Sequence, residues 1–268
     1  MAGRLAGKVA IITGASRGLG QYCAVAFGKE GAIVAVAART EQESDPRLPG
    51  TIYHTAKMVD EAGGEGFPVV CNVADAASVE AAVAKVLEKY GRIDILMTNA
   101  AVQPPGGIST IQPRHWELEF RINVNGPFYC IRAVLPTMQA QKSGNIINIS
   151  SVAARPDGGS HYGATKRAIE AMTIGLAGEL RGDGIAVNCL KPDGGIATPG
   201  LFFARGGMEA AAAQGLTESG LPSSDSYVEA AILLALQTPD TCTGGVFYDG
   251  EAIDRFADDV TKARLRKA

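Results

Sequence analysis

The chain has 268 residues, a formal net charge of −3, 46% hydrophobic and 20% charged residues, enough apolar material for a sizeable core and too little charge for disorder. No Lys/Arg block offers itself to a phosphate backbone, which argues against a nucleic-acid partner, and no apolar run approaches the ~18 residues of a membrane span. Five cysteines without a CxxC pair argue against a metal site or a disulfide framework and read as buried thiols of a reducing cytoplasm.

KVAIIT (8–13) is short, apolar and β-branched, and reads as a first strand. Its apolar stretch is too short for the core of a signal peptide. The turn TGASRGLG follows. It carries Gly14, Gly18 and Gly20, with Ser16, Arg17 and Leu19 between them, and opens a helix over 18–30. Glycine permits positive φ and lets a phosphate approach the backbone, while the helix N-terminus offers free N–H groups and partial positive charge. AIVAVAA (32–38) is a second strand, so the turn sits where a βαβ unit binds a dinucleotide.

An NAD site usually carries an acid at the end of that second strand, to bind the ribose hydroxyls. Here Ala38 is followed by Arg39. Arg39 and Arg17 suit a 2′-phosphate, which guanidinium binds through charge-assisted bidentate hydrogen bonds. Glu41 or Glu43 could instead fold back from the loop. NADP(H) is therefore favoured, with NAD(H) possible.

TEQESDPRLPGTI (40–52) is polar, proline-bearing and expected to be an ordered surface loop. GFPVVCNV (66–73) is a third strand ending in Asn72 and Val73. In ADAASVEAAVAKVLEKYG (74–91) Val79, Val83, Val86 and Leu87 share one face of a helix. RIDILMTNA (92–100), NIINIS (145–150), GIAVNCL (184–190) and GGVFYDG (244–250) supply four more strands. Strands apolar throughout are buried on both faces, and strands joined by helices run parallel. The expectation is one α/β domain over 1–268, with a doubly wound, mostly parallel seven-stranded sheet and helices on both faces. Its core spans about 5–250, and a charged tail at 251–268 is expected to be partly mobile.

HYGATKRA (161–168) places Tyr162 and Lys166 one helical turn apart on a shared face. A phenol with a pKa near ~10 is a poor acid or base at neutral pH until a nearby cation favours the phenolate. Ser151 follows the fifth strand at the sheet edge where such folds bind ligands, with Ser150 its rival. Asn123 lies in a helical segment shortly before Pro127.

Six pieces then occur in a fixed order: TGASRGLG, TNAA (98–101), INVNG (122–126), ISS (149–151), YGATK (162–166) and KPDGGIAT (191–198). In this order the chain resembles the short-chain dehydrogenase/reductase family. The resemblance implies a Rossmann-fold oxidoreductase with a Ser–Tyr–Lys centre assisted by an Asn, interconverting a small-molecule carbonyl and an alcohol. Tyr162 would be the acid/base and Ser151, whose Ser-Val-Ala-Ala context fits the family better than that of Ser150, would hold the substrate oxygen. Lys166 would also bind the nicotinamide ribose, and Asn123 would kink its helix and hold a water relaying protons to the lysine. Cofactor contacts would come from the glycine turn and from Asn72, Val73, Asn99, Ala100, Ala101, Tyr162, Lys166, Pro192, Ile196 and Thr198.

This sequence departs from the family at Thr98 and Ala101, where Asn-Asn-Ala-Gly is usual, at Asn72, usually Asp, and at Asp193, usually Gly. Ser151 and Tyr162 are also closer in sequence than is usual. The substrate pocket is expected from 102–108, 152–160 and an apolar lid at 199–222. His54, His115 and His161 form no ligand set. His161 and Arg155 border the site and are as consistent with solvent as with substrate, and Trp116 is expected to pack at the start of the fourth helix.

RAIEAMTIGLAGEL (167–180) is apolar nearly all round, which requires burial on more than one side. This predicts, as the resemblance implies, a homodimer or homotetramer sharing the segment from Trp116 to Met138. The alternatives are an NAD(H)-linked alcohol dehydrogenase of the same fold and a non-catalytic nucleotide-sensing or scaffold protein. The latter typically loses the tyrosine or lysine that this chain keeps.

Overall fold

The β-branched apolar runs become seven strands: β1 (Val9–Thr13), β2 (Ile33–Ala38), β3 (Glu65–Val70), β4 (Ile95–Thr98), β5 (Gly144–Ile149), β6 (Ile185–Lys191) and β7 (Val246–Tyr248). They form one sheet in the order β3-β2-β1-β4-β5-β6-β7, and every pairing is parallel. The computed structural model describes residues 3–43, 45–155, 160–217, 220–221 and 223–266.

Alternate residues of each central strand feed two apolar layers. Ala10, Ile12, Val34, Val36, Ile95 and Met97 face one layer, with α1 (Gly18–Lys29), α2 (Ile52–Glu61) and α9 (Asp225–Ala235) packed over them. Val9, Ile11, Ala35 and Leu96 face the other, against α3 (Ala76–Tyr90), α5 (Gly126–Gln141) and α6 (His161–Leu180). All five cysteines are buried and unpaired. No described helix is long and apolar enough to cross a membrane.

Two local details go beyond the sequence reading. Most of the charged tail is helical, in α10 (Asp249–Phe256) and α11 (Asp259–Leu265). It docks because Ala252 and Ile253 join the core, and because Arg264 ion-pairs with Glu229, itself held by Arg4. Trp116 lies inside α4 (Pro113–Phe120), stacked 4.5 Å from Phe120 and 36% exposed rather than packed.

The strand order reverses at β1, whose neighbours are β2 and β4. The crevice between the carboxyl ends of β1 and β4 is where an open α/β sheet binds its ligand. The segments after β1, β4 and β5 and the start of α6 meet at that edge.

Candidate active site

The glycine turn is shaped by what presses on it. Gly14 has φ +66, and a Cβ there would come 2.8 Å from Ala100 Cα. A Cβ on Gly20 would collide with the Asn99 amide, and Gly18 has φ +60. Asn99 donates to the Thr13 and Gly14 carbonyls at 2.9 and 3.3 Å, and Ala100 N donates to Thr13 Oγ1 at 3.1 Å. The ends of β1 and β4 are thus laced together, and only glycine fits between them. The N-cap of α1 is Arg17, which makes no side-chain cap bond, and the first turn holds no acid. An anion can therefore take those N–H groups, so the residues present fit a dinucleotide.

The expected cofactor residues divide by what already engages them. The Arg17 guanidinium donates to the Pro49 and Gly50 carbonyls, both at 3.0 Å, and to Thr40 Oγ1 at 3.4 Å. Burial and the neighbouring Arg39 lower its pKa. Arg17 therefore also pins the 40–52 loop, whose Glu43 accepts from Gly50 N at 2.7 Å. Arg39 is exposed at the end of β2.

Asn72 accepts from Ala74 N at 3.2 Å, and the Val73 side chain is buried against Gly126. Ser16 and Ile196 are buried, Leu19, Ala100 and Pro192 half-buried, and Ala101 exposed. Thr198 caps α7 (Pro199–Ala204) by accepting from Leu201 N at 3.1 Å, and its Cβ lies beside Gly18.

The proposed catalytic set gathers one strand further on. Lys166 is 2% exposed and its Nζ donates to the Ile149 carbonyl, the last of β5, at 2.8 Å. It lies 5.5 Å from the centre of the Tyr162 ring. Burial lowers the Lys166 pKa to about 8. Tyr162 departs from the expectation of an acidified phenol. Burial, and then the Glu119 carboxyl, push it above its ordinary value.

The two serines separate cleanly. Ser150 is 3% exposed and donates to Glu170 Oε1 at 2.8 Å, a carboxylate that also meets Lys191 Nζ at 3.3 Å. Ser151 is half-buried and opens the short 3-10 turn Val152–Ala154, its Oγ accepting from Ala153 N at 3.2 Å.

Asn123 sits in a π-helical turn, Arg121–Asn125, between α4 and α5. Such a turn inserts one residue into the helix and re-aims the side chains around it. The Asn123 amide accepts from Val102 N at 2.9 Å and donates to the Val102 carbonyl at 2.8 Å and to Thr165 Oγ1 at 3.2 Å.

The lid expectation holds two short helices, α7 and α8 (Met208–Ala213). Phe202 is buried, and Phe203 lies 4.9 Å beneath the Arg47 guanidinium of the 40–52 loop. Residues 218, 219 and 222 of the expected lid and 156–159 of the expected pocket wall lie outside the described residues.

The solvent-facing alternative for His161 fails. His161 is 1% exposed, and its Nδ1 lies 2.6 Å from Oε2 of Glu119, which is fully buried. Sequence reasoning missed Glu119 altogether. No local pattern singles it out, because the histidine it meets lies 42 residues on.

The family profile described as short chain dehydrogenase matches residues 8–202. Among curated proteins, the chain is 38% identical over 193 residues to the short-chain reductase protein NovJ of Streptomyces niveus, covering 72% of this chain and 70% of that protein. It is 36% identical over 203 residues to hydroxysteroid dehydrogenase-like protein 2 of Mus musculus, covering 74% of this chain. The match spans only 41% of that relative's length and 48% of its Bos taurus counterpart.

A short chain dehydrogenase structure from Mycobacterium thermoresistibile superposes with a TM-score of 0.83 at 30% identity, over 95% of this chain and 89% of that one. A metagenomic short-chain oxidoreductase in complex with NADP gives a TM-score of 0.72 at 28% identity, over 91% and 97% of the two chains. The chain belongs to the short chain dehydrogenase family.

Proposed function

We propose that this short chain dehydrogenase interconverts a small carbonyl compound and its alcohol with NADP(H), using Tyr162 as acid/base. The observation that carries the reading is the Tyr162–Lys166 pair on one turn of α6, with the lysine buried and held by Ile149 at the edge where the glycine turn opens.

When bound, the nicotinamide supplies or accepts the hydride. Tyr162 then gives the carbonyl oxygen its proton during reduction and takes it back during oxidation. A phenol whose pKa lies above its ordinary value stays protonated at neutral pH, the form that donation requires. Lys166 stabilises the phenolate left behind. The Ser151 hydroxyl donates to the substrate oxygen as charge develops there. Asn123 holds the start of the 102–112 loop through both polar groups of Val102.

Arg39 is the main recognition group for a 2′-phosphate, with Arg17 assisting from the turn while it keeps its loop contacts. The NADP complex of a similar structure supports that preference. Retention of Tyr162, Lys166, Ser151 and Asn123 together argues against a nucleotide sensor or scaffold.

The bare face of α6 supports assembly of two or four copies. Ile174 is 58% exposed, and Cβ atoms on Gly175 or Gly178 would meet nothing within 4 Å. Phe128 of α5 is 46% exposed. A spectrophotometric screen of NADPH and NADH oxidation against ketones, aldehydes and oxoacyl esters tests the reading. NADPH-dependent turnover of at least one class is expected, and inactivity across the panel or a strict NADH preference contradicts it.

A further inference from the structure

Two rungs cross between the α4–π segment and α6. Glu119 Oε2 meets His161 Nδ1 at 2.6 Å, and one turn on Asn123 Nδ2 donates to Thr165 Oγ1 at 3.2 Å. Residues 119 and 123 are four apart, as are 161 and 165, so the rungs set the register of one helix against the other. Each rung also grips the loop that follows β4. Asn123 holds Val102 by both backbone groups, and His161 Nε2 lies 2.9 Å from the Gly106 carbonyl.

Gly106 has φ +115, a conformation that L side chains rarely adopt. Beyond it the chain closes on itself, with Gly107 N donating to Thr110 Oγ1 at 3.0 Å and Ile111 N to the Gly107 carbonyl at 2.8 Å. Residues 102–111 therefore hang from two points, tied to His161 and Thr165, the sequence neighbours of Tyr162 and Lys166.

The chemistry of the outer grip is constrained by its partners. A carbonyl only accepts, so His161 Nε2 must carry hydrogen. Nδ1 then shares one proton with the Glu119 carboxyl, as imidazolium with carboxylate or as imidazole with carboxylic acid. Among the described residues Glu119 Oε1 has no partner, and it is buried. A carboxyl buried with one described contact depends on that contact.

We infer that Glu119 and His161 are positioning residues that hold the 102–111 loop against the catalytic helix and so set how well substrate binds beside Tyr162. The inference rests on the carbonyl/alcohol reading for its kinetic readout only. Gln at 119 can still donate to Nδ1 from its amide and leave Nε2–H on Gly106, so it keeps both bonds. Ala at 119 loses the first, and Phe at 161 loses both while keeping a planar ring.

The test compares Glu119→Ala, His161→Phe and Glu119→Gln with the unmutated protein, using hydrogen exchange of the 107–111 amides, NADPH titration and steady-state kinetics. In the Ala and Phe variants, exchange at 107–111 should accelerate tenfold or more. KM for the carbonyl should rise roughly 10- to 100-fold, the range of one hydrogen bond to a charged group. Affinity for NADPH should stay within twofold and kcat should fall less than KM rises. Glu119→Gln should restore both exchange and KM.

Unchanged protection of 107–111 in the Ala and Phe variants overturns the inference, as does equal loss of cofactor and substrate binding or failure of Gln to restore. If no carbonyl is turned over, the function reading fails while the exchange comparison still decides this one.

Discussion

Lys166→Met isolates the cost of keeping a buried cation in the site. Moving the ammonium from its ordinary 10.5 to about 8 corresponds to ~3 kcal/mol against the charged form. Methionine keeps the stem and removes the charge, but leaves the Ile149 carbonyl without its donor, which costs about 1–2 kcal/mol. The net expectation at pH 7 is a variant more stable by ~1–2 kcal/mol, or a Tm higher by about 3–6 °C in a domain of this size.

The pH dependence has a definite sign. Because the folded pKa is depressed, the penalty is complete below about pH 8, where Lys166 is charged in both states. Between about 8 and 10.5 the unfolded chain binds the proton that the folded chain has lost, so wild-type stability rises with pH. Methionine at 166 does not share that gain. Melting curves at pH 7 and pH 10.5 should therefore show the variant ahead at the lower pH and level or behind at the higher. A variant that melts below wild type by the same margin at both would refute the reasoning, because the ammonium would then contribute no buried-charge penalty.

Arg39→Ala should weaken NADPH binding by about one to two decades, the range for hydrogen bonds to a charged group, and barely alter NADH binding; fluorescence titration checks it, and equal losses would contradict the phosphate assignment. The rate of carbonyl reduction should fall as pH rises through about 8, because neutralising Lys166 removes the charge that supports the Tyr162 phenolate, and a flat pH–rate profile from 7 to 10 would contradict that role. Light scattering at micromolar concentration should report a dimer or tetramer that Gly175→Leu dissociates, whereas a fully active monomer would refute assembly through α6.

The sheet was legible because seven apolar, β-branched runs alternate with helices, and the observed strands depart from them by one to three residues at most ends. The crevice was legible because the glycines read as conformational demands, which Gly14 and Gly18 meet with positive φ. The Tyr162–Lys166 pair was legible because helical spacing is local. The phenol's pKa was not, since it depends on how much protein surrounds the ring. The Glu119–His161 contact joins residues 42 apart, and nothing local in either segment announces it. The 40–52 loop showed its polarity but not its anchor, because Arg17 read as a free phosphate ligand before its bonds to Pro49 and Gly50 were known. The docking of the tail was hidden for the same reason, since Arg4 and Glu229 lie far from it in sequence.

The measurement closest to the central claim is the turnover of Tyr162→Phe with NADPH and the best carbonyl from the screen. The ring and its packing remain and only the phenolic O–H is lost, so NADPH affinity should stay within about twofold while kcat falls by ~10²–10⁴, the usual contribution of general acid–base catalysis. A variant that keeps a tenth or more of the wild-type kcat would contradict Tyr162 as the acid/base.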